Sequence, residues 1–242
     1  MGCALCHANV PLLNSHIIPE FFYTQIYDNL HRFHVIPNDP AKSEKYGQKG
    51  IREKLLCEKC EQKFSRWEKY AKETFSDGKI KIERSGKIFK LADLNYRSFK
   101  LFLLSLLWRM GVSKLKFFSL ADLGSKHLEI LRVALLNEDP LEPLQYPCLM
   151  SAVHINGKFY TDWISQPAHN KSGNYHCHSV VINGILFTFY VTSHAPPAIF
   201  ENVCINKKNE MCVFVSDIKE IPFLLEYAKE LGNTIRARAK QV

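Results

Sequence analysis

The sequence predicts an α+β protein with an N-terminal metal-binding module, a central helical segment and a C-terminal α+β unit that contains antiparallel hairpins. Three observations predict this organisation. Two Cys-x-x-Cys pairs lie in the first third of the 242 residues, apolar residues at helical spacing fill the middle, and two Asn-Gly dipeptides separate β-rich runs near the end. We divide the chain accordingly into residues 1–78, 79–145 and 146–242.

Two helices are predicted in the first segment. Pro19 favours the start of a helix through residues 20–27, because its fixed φ angle suits a first helical position. A longer helix begins near Cys57 and ends near Phe75, where Ser-Asp-Gly at 76–78 provides a stop.

The central segment begins with a strand and continues as helices. Residues 79–87 form a basic run that alternates like an edge strand, where lysines discourage edge-to-edge pairing. Residues 92–140 are predicted to be helical, with one broad apolar face between Phe99 and Val112. This apolar run is too short to cross a bilayer and is interrupted by Arg109.

Two hairpins and a helix are predicted in the third segment. Asn156-Gly157 and Asn183-Gly184 each separate two β-rich runs, and this dipeptide is the strongest local hairpin signal. A final helix is expected from Ile218 to about Lys240.

The charge balance favours phosphate-bearing partners. The formal net charge is +8 and the isoelectric point is about 9.0. Solubility alone is the alternative explanation. The N-terminus has neither a secretion signal nor a complete myristoylation motif, so we expect a cytoplasmic protein that does not associate with membranes.

The four N-terminal cysteines predict one structural zinc ion. A Cys-x-x-Cys turn brings two sulfurs to one side of a tetrahedral ion, and the chain supplies two such turns, Cys3/Cys6 and Cys57/Cys60. A first pair followed, after an intervening stretch, by a second pair that begins a helix is the order of a treble-clef finger. A redox pair or four unrelated thiols are the alternatives.

A second metal site around His176 and His178 is the less favoured interpretation of these histidines. Strand alternation puts these two histidines on one face and Cys177 on the other, so the three cannot share an ion. His154 or His194 could complete a site, but a polar strand face is the preferred interpretation.

The stretch Asn-Ser-His-Ile-Ile-Pro at 14–19, together with Leu56 and the second cysteine pair, resembles the HNH nuclease family. The resemblance covers residues 3 to about 70 and implies a ββα-metal fold of bacterial or phage origin. It implies that His16 is the general base and that Glu61 holds a divalent metal. Ser15 stands where the family has the Asp that helps to hold the divalent metal, and Arg52 stands where it has Asn.

The resemblance implies an endonuclease that hydrolyses phosphodiester bonds in DNA, with Mg²⁺ or Mn²⁺ as the catalytic ion. His16, Glu61 and Arg52 are the expected catalytic residues. The alternative is a non-catalytic treble-clef module that binds nucleic acid or a partner protein, or that forms a homodimer. In that case His16 braces the zinc site and Glu61 is an ordinary acid in the first turn of a helix.

The helix after the second cysteine pair carries candidate nucleic-acid contacts. Basic residues alternate there with aromatic ones, which could stack on bases, although the helical spacing of the aromatics favours a place in the core. The basic residues are Lys63, Arg66 and Lys69, and the aromatic residues are Phe64, Trp67 and Tyr70.

Overall fold

The computed structural model describes residues 2–36, 43–76, 81–194 and 196–239, which form a mixed α+β fold. The strands are β1 (Leu12–His16), β2 (Phe33–Val35), β3 (Lys45–Gly47), β4 (Arg52–Cys57), β5 (Lys81–Ser85), β6 (Ile88–Ala92), β7 (Cys148–Ile155), β8 (Lys158–Phe159), β9 (Ala168–Ser172), β10 (Tyr175–Ile182), β11 (Ile185–Tyr190) and β12 (Met211–Asp217). The helices are α1 (Glu58–Ser76), α2 (Tyr96–Val112), α3 (Gly124–Leu136), α4 (Phe200–Val203) and α5 (Pro222–Ala239).

The N-terminal module is a two-stranded ribbon followed by a helix. β1 pairs antiparallel with β4, and β4 continues directly into α1. The long helix is therefore confirmed, while its predicted stop at residues 77–78 lies outside the described residues. The helix predicted over 20–27 is wrong, because only a 3₁₀ turn forms at Glu20–Tyr23. The Asp28 carboxylate accepts the Leu30 and Arg32 amides instead and starts a new turn.

The central helix α2 is buried all round. Every residue from Phe99 to Met110 is buried, so the single apolar face that the sequence predicts is wrong. The helix packs on α1 and α3, and it shares its core with the large sheet. Asn95 caps its first turn by accepting the Ser98 amide at 2.8 Å.

The C-terminal half is built on an eight-stranded sheet with the order β5-β6-β12-β7-β11-β10-β9, and β8 pairs with β7. All of these pairs are antiparallel except β12 with β7. β5 lies at an edge, as predicted, although residues 79–80 of the predicted strand lie outside the described residues.

Both predicted hairpins are confirmed. Asn156 and Gly157 have φ angles of 50° and 81°, and Asn183 and Gly184 have 50° and 72°. Positive φ at both central residues is the geometry whose twist matches the flanking strands. A Cβ atom at Gly184 would lie 2.5 Å from the Tyr160 carbonyl oxygen, so this turn requires glycine.

The final helix begins later than predicted. Residues 218–220 form a 3₁₀ turn because the Asp217 carboxylate accepts the Lys219 amide, and α5 starts at Pro222. Its predicted end at Lys240 lies outside the described residues. Leu224 of α5 covers one face of the sheet, and α2 covers the other.

One buried core joins the three predicted segments. It includes Leu5 of the first segment, Phe102 of the second and Phe187 of the third. The predicted boundary at residue 78 lies outside the described residues. The N-terminal module therefore packs on the rest of the chain through a shared apolar interior.

His176 and His178 share a sheet face with His169. His169 Nε2 lies 3.0 Å from His176 Nδ1, and the His169 and His178 rings stack with centroids 4.8 Å apart. These rings do not form a metal-ligand group within the described part of the chain, and His154 lies instead beside Asp217. The hydrogen bond between His169 and His176 instead agrees with the polar-face interpretation.

Replacing His178 with phenylalanine is expected to reduce acid sensitivity. Burial, together with His169 nearby, lowers the pKa of His178 from 6.5 to about 4. The unfolded chain therefore binds more protons between those values, and the native protein loses about 3 kcal/mol of stability as pH falls from 6.5 to 4. Denaturant unfolding across this range measures it. His34→Phe, at an exposed site, should keep the full pH dependence, and an equally steep curve for His178→Phe would contradict the prediction.

Candidate functional site

The four predicted ligand cysteines come together in the structure. Their sulfur atoms lie within 4.8 Å of one another, with Cys3, Cys57 and Cys60 buried and Cys6 half-buried. Among the described residues, these four are the only group of three or more His, Cys, Asp or Glu side chains that could hold a metal ion. Four sulfurs at this spacing match the donor set of a closed structural site.

Backbone hydrogen bonds hold the two cysteine pairs against each other. In the first turn, the His7 amide donates to the Cys3 carbonyl at 2.8 Å. The Ala4 amide donates to the Leu55 carbonyl at 3.0 Å, and the Cys57 amide donates to the Cys3 sulfur at 3.3 Å. The first turn is therefore fixed to the end of β4, where α1 begins.

The thiols differ in how readily they ionise. Burial opposes ionisation of Cys3, but hydrogen bonds from the Cys6, Cys57 and Leu5 backbones outweigh it and lower the pKa to about 7. Burial and the neighbouring sulfurs raise the pKa of Cys60. Four thiolates this close repel one another, so a divalent cation is needed to hold them all ionised.

The donor set thus fits a metal ion such as zinc. A basic side chain from the central segment lies beside it, because Arg132 of α3 donates to the Leu5 carbonyl at 2.7 Å. Arg132 is itself paired with Glu129, so its main contribution here is the hydrogen bond that holds the first cysteine turn.

Ser15 and Glu61 meet at the end of β1. The Ser15 hydroxyl donates to the Glu61 carboxylate at 2.7 Å and accepts the Leu56 amide at 3.3 Å. Ser15 is only 1% exposed, and Glu61 projects from the first turn of α1. The two positions that the resemblance assigns to metal binding are therefore adjacent.

His16 lies in a different set of contacts. Arg52 is its register partner on β4 and donates from Nε to His16 Nε2 at 2.9 Å and to the Lys49 carbonyl at 2.6 Å. The Glu20 carboxylate lies beside the same nitrogen, which can donate to it only when Nε2 is protonated. Gly50 allows this close packing, because a Cβ atom there would lie 3.0 Å from the His16 ring.

The surroundings favour neutral His16. Burial lowers its pKa, and the positive charge of Arg52 lowers it further, while Glu20 and Glu68 partly oppose this. The side chain is 16% exposed, so solvent still reaches the ring. A neutral and accessible imidazole can accept a proton.

The structure gives His16 and Glu61 different partners. His16 contacts Glu20 and Arg52, whereas Glu61 contacts Ser15. Sequence reasoning missed Glu20, which follows Pro19 and is brought back to His16 by the 3₁₀ turn. The available signal was that Glu20 lies four residues after His16, the candidate base.

Two of the three predicted nucleic-acid contacts are engaged within the protein. Lys63 donates to the Leu136 carbonyl at 2.5 Å, and Arg66 pairs with Glu138 at 2.9 Å. Lys69 is exposed. Phe64 and Trp67 are buried, which confirms the core interpretation for these two aromatic residues.

Comparisons with known proteins returned no family model, curated protein or solved structure that matches the chain. In the ranges that the structure describes, no helix combines the length and the apolar character that a membrane span requires.

Metal removal is expected to loosen the N-terminal module. The purified protein should contain one zinc ion per chain, and Cys57→Ser should lose it, because three sulfurs hold the ion less tightly than four. Emission spectrometry measures the metal, and thermal unfolding measures the loss of stability. Cys212→Ser is the matched control, since this thiol lies outside the cluster. Equal zinc content in both variants would contradict the assignment.

Proposed function

We propose that the chain is a zinc-stabilised, HNH-like endonuclease that hydrolyses phosphodiester bonds in DNA with a divalent metal. The observation that carries the proposal is that the family's base and metal positions are consecutive residues at the end of β1, each with its own polar partners. His16 and Ser15 are neighbours there, and Ser15 bonds Glu61 at 2.7 Å. The ribbon of β1 and β4 followed by α1 has the order of a ββα-metal fold, and the cysteine pairs have the order of a treble clef.

His16 is assigned the role of general base. Its lowered pKa keeps it neutral at physiological pH, so it can take a proton from the attacking water. Glu20 lies beside Nε2, so its carboxylate would stabilise the imidazolium that results. Glu20 is thus proposed to orient the base and to stabilise its charged form.

Arg52 is assigned to the phosphate. Its guanidinium lies beside His16 and is 28% exposed, so it can meet an anion that approaches the base. Glu61 and the Ser15 hydroxyl would hold the divalent ion, which supplies Lewis-acid polarisation of the scissile phosphate.

A second candidate is the non-catalytic treble-clef module that binds nucleic acid or a partner protein. One observation favours it. Ser15 is a neutral hydroxyl where the family has an acid, so Glu61 is the one carboxylate that contacts this position among the described residues. A single carboxylate holds Mg²⁺ weakly. This candidate expects DNA binding without cleavage.

Plasmid cleavage in the presence of Mg²⁺ or Mn²⁺ separates the two candidates. The wild-type protein should nick or linearise plasmid, and His16→Ala should lower the rate about 100-fold or more, because general-base catalysis contributes about 10²–10⁴-fold. His154→Ala, which alters a histidine on β7 paired with Asp217, should keep the activity. Cleavage that survives His16→Ala would reject the assignment of the base.

The pH profile is expected to move when Glu20 is neutralised. The Glu20 carboxylate raises the pKa of His16, so Glu20→Gln should lower it. The acid limb of kcat/KM would then shift to lower pH, because the base stays neutral further into acid. A shift to higher pH, or none, would show that Glu20 does not act on the base.

A further inference from the structure

Arg109 is a guanidinium in the middle of the apolar helix α2. It is 1% exposed, although arginine is almost never fully buried without partners. A buried charge is retained only where its donors are satisfied. The partners of Arg109 therefore indicate what the helix holds in place.

Those partners include the N-terminal module. Nη1 of Arg109 donates to the His16 carbonyl at 2.8 Å and to the Glu68 carboxylate at 2.5 Å. Nε donates to the Ser105 carbonyl at 3.3 Å within the same helix, and the guanidinium lies 5.4 Å from the Phe64 ring centroid. One side chain thus joins α2, α1 and the last residue of β1.

The His16 contact fixes the backbone from which the imidazole projects. β1 ends at His16, so Arg109 satisfies a carbonyl at the point where the chain leaves the ribbon. Glu68 holds the guanidinium from the other side and neutralises it. A shift of about 1 Å in a catalytic group can cost about 100-fold in rate.

We propose that Arg109 is a positioning residue for His16, so that the central helix forms part of the active centre. The consequence for catalysis rests on the proposed endonuclease function. The consequence for the geometry of His16 does not, because it follows from the contacts alone.

The same helix provides a matched control. Lys100 is also 1% exposed and donates to the carbonyls of Pro143, Gln145 and Tyr146, at 3.2, 2.7 and 3.1 Å. It is a buried cation on α2 whose contacts lie away from His16. If Arg109 only stabilised the fold, replacing it would have the same kind of effect as replacing Lys100.

The experiment compares Arg109→Met, Arg109→Lys and Lys100→Met in the full chain. Lysine keeps the positive charge, but its nitrogen is one bond closer to Cα than Nη1, the arginine atom that donates to both the His16 carbonyl and Glu68. It also keeps a cation beside Glu68, so it should fold even where Arg109→Met does not. His16 ring resonances, assigned with His16→Gln, and kcat and KM on plasmid are the readouts.

Arg109→Lys should shift the His16 ring resonances and lower kcat about 10- to 100-fold with KM changed far less. Lys100→Met should lower thermal stability and leave the His16 resonances unchanged. The proposal would be overturned if the His16 resonances of Arg109→Lys matched those of the wild-type protein. It would also be overturned if Lys100→Met shifted them by the same amount as Arg109→Lys. If the wild-type protein does not cleave DNA but Arg109→Lys still moves the resonances, the positioning role stands and the proposed endonuclease function fails.

Discussion

The convergence of four sulfurs fixes most of the N-terminal geometry. It joins the turn at Cys3–Cys6 to the start of α1, two points far apart in sequence. The ribbon of β1 and β4 has two strands, and an isolated pair of strands is marginally stable in water. A structural zinc ion contributes about 10–16 kcal/mol in small fingers, whereas a whole domain is stable by about 5–15 kcal/mol. A bound ion would therefore stabilise the ribbon beyond what its packing on the shared core provides, and with it the register that sets His16 opposite Arg52.

The second constraint is the central helix, which couples this module to the sheet. Its two buried cations point to different parts of the chain, Arg109 to His16 and Glu68, and Lys100 to the carbonyls of residues 143–146. Replacing a buried pair with apolar residues often leaves stability unchanged. Stability alone therefore gives little reason for an arginine at position 109. Its role in fixing the position of the end of β1 gives a reason.

Local signals in the sequence predicted local structure. The cysteine turns, the Asn-Gly hairpins and the helix from Glu58 each depend on a few neighbouring residues, and each forms as expected. The sheet order could not be predicted, because β12 lies between β6 and β7 and joins residues from distant parts of the chain. The partners of His16 could not be predicted for the same reason. Arg109 looked like an interruption of an apolar helix until its contact with β1 was known.

The candidate site is electrostatically divided, and the division bears on which ligand each part favours. Arg52 lies 2.9 Å from His16 Nε2, and the Glu20 carboxylate contacts both side chains, so a ligand at the imidazole meets an arginine paired with a carboxylate. Glu61 contacts a hydroxyl, and its carboxylate is suited to a hard cation. In the proposed endonuclease, Arg52 would contact the phosphate, and Glu61 would hold the cation. Their separation follows from the register of β1 with β4 and from the place of Glu61 in the first turn of α1, which begins at the second cysteine pair.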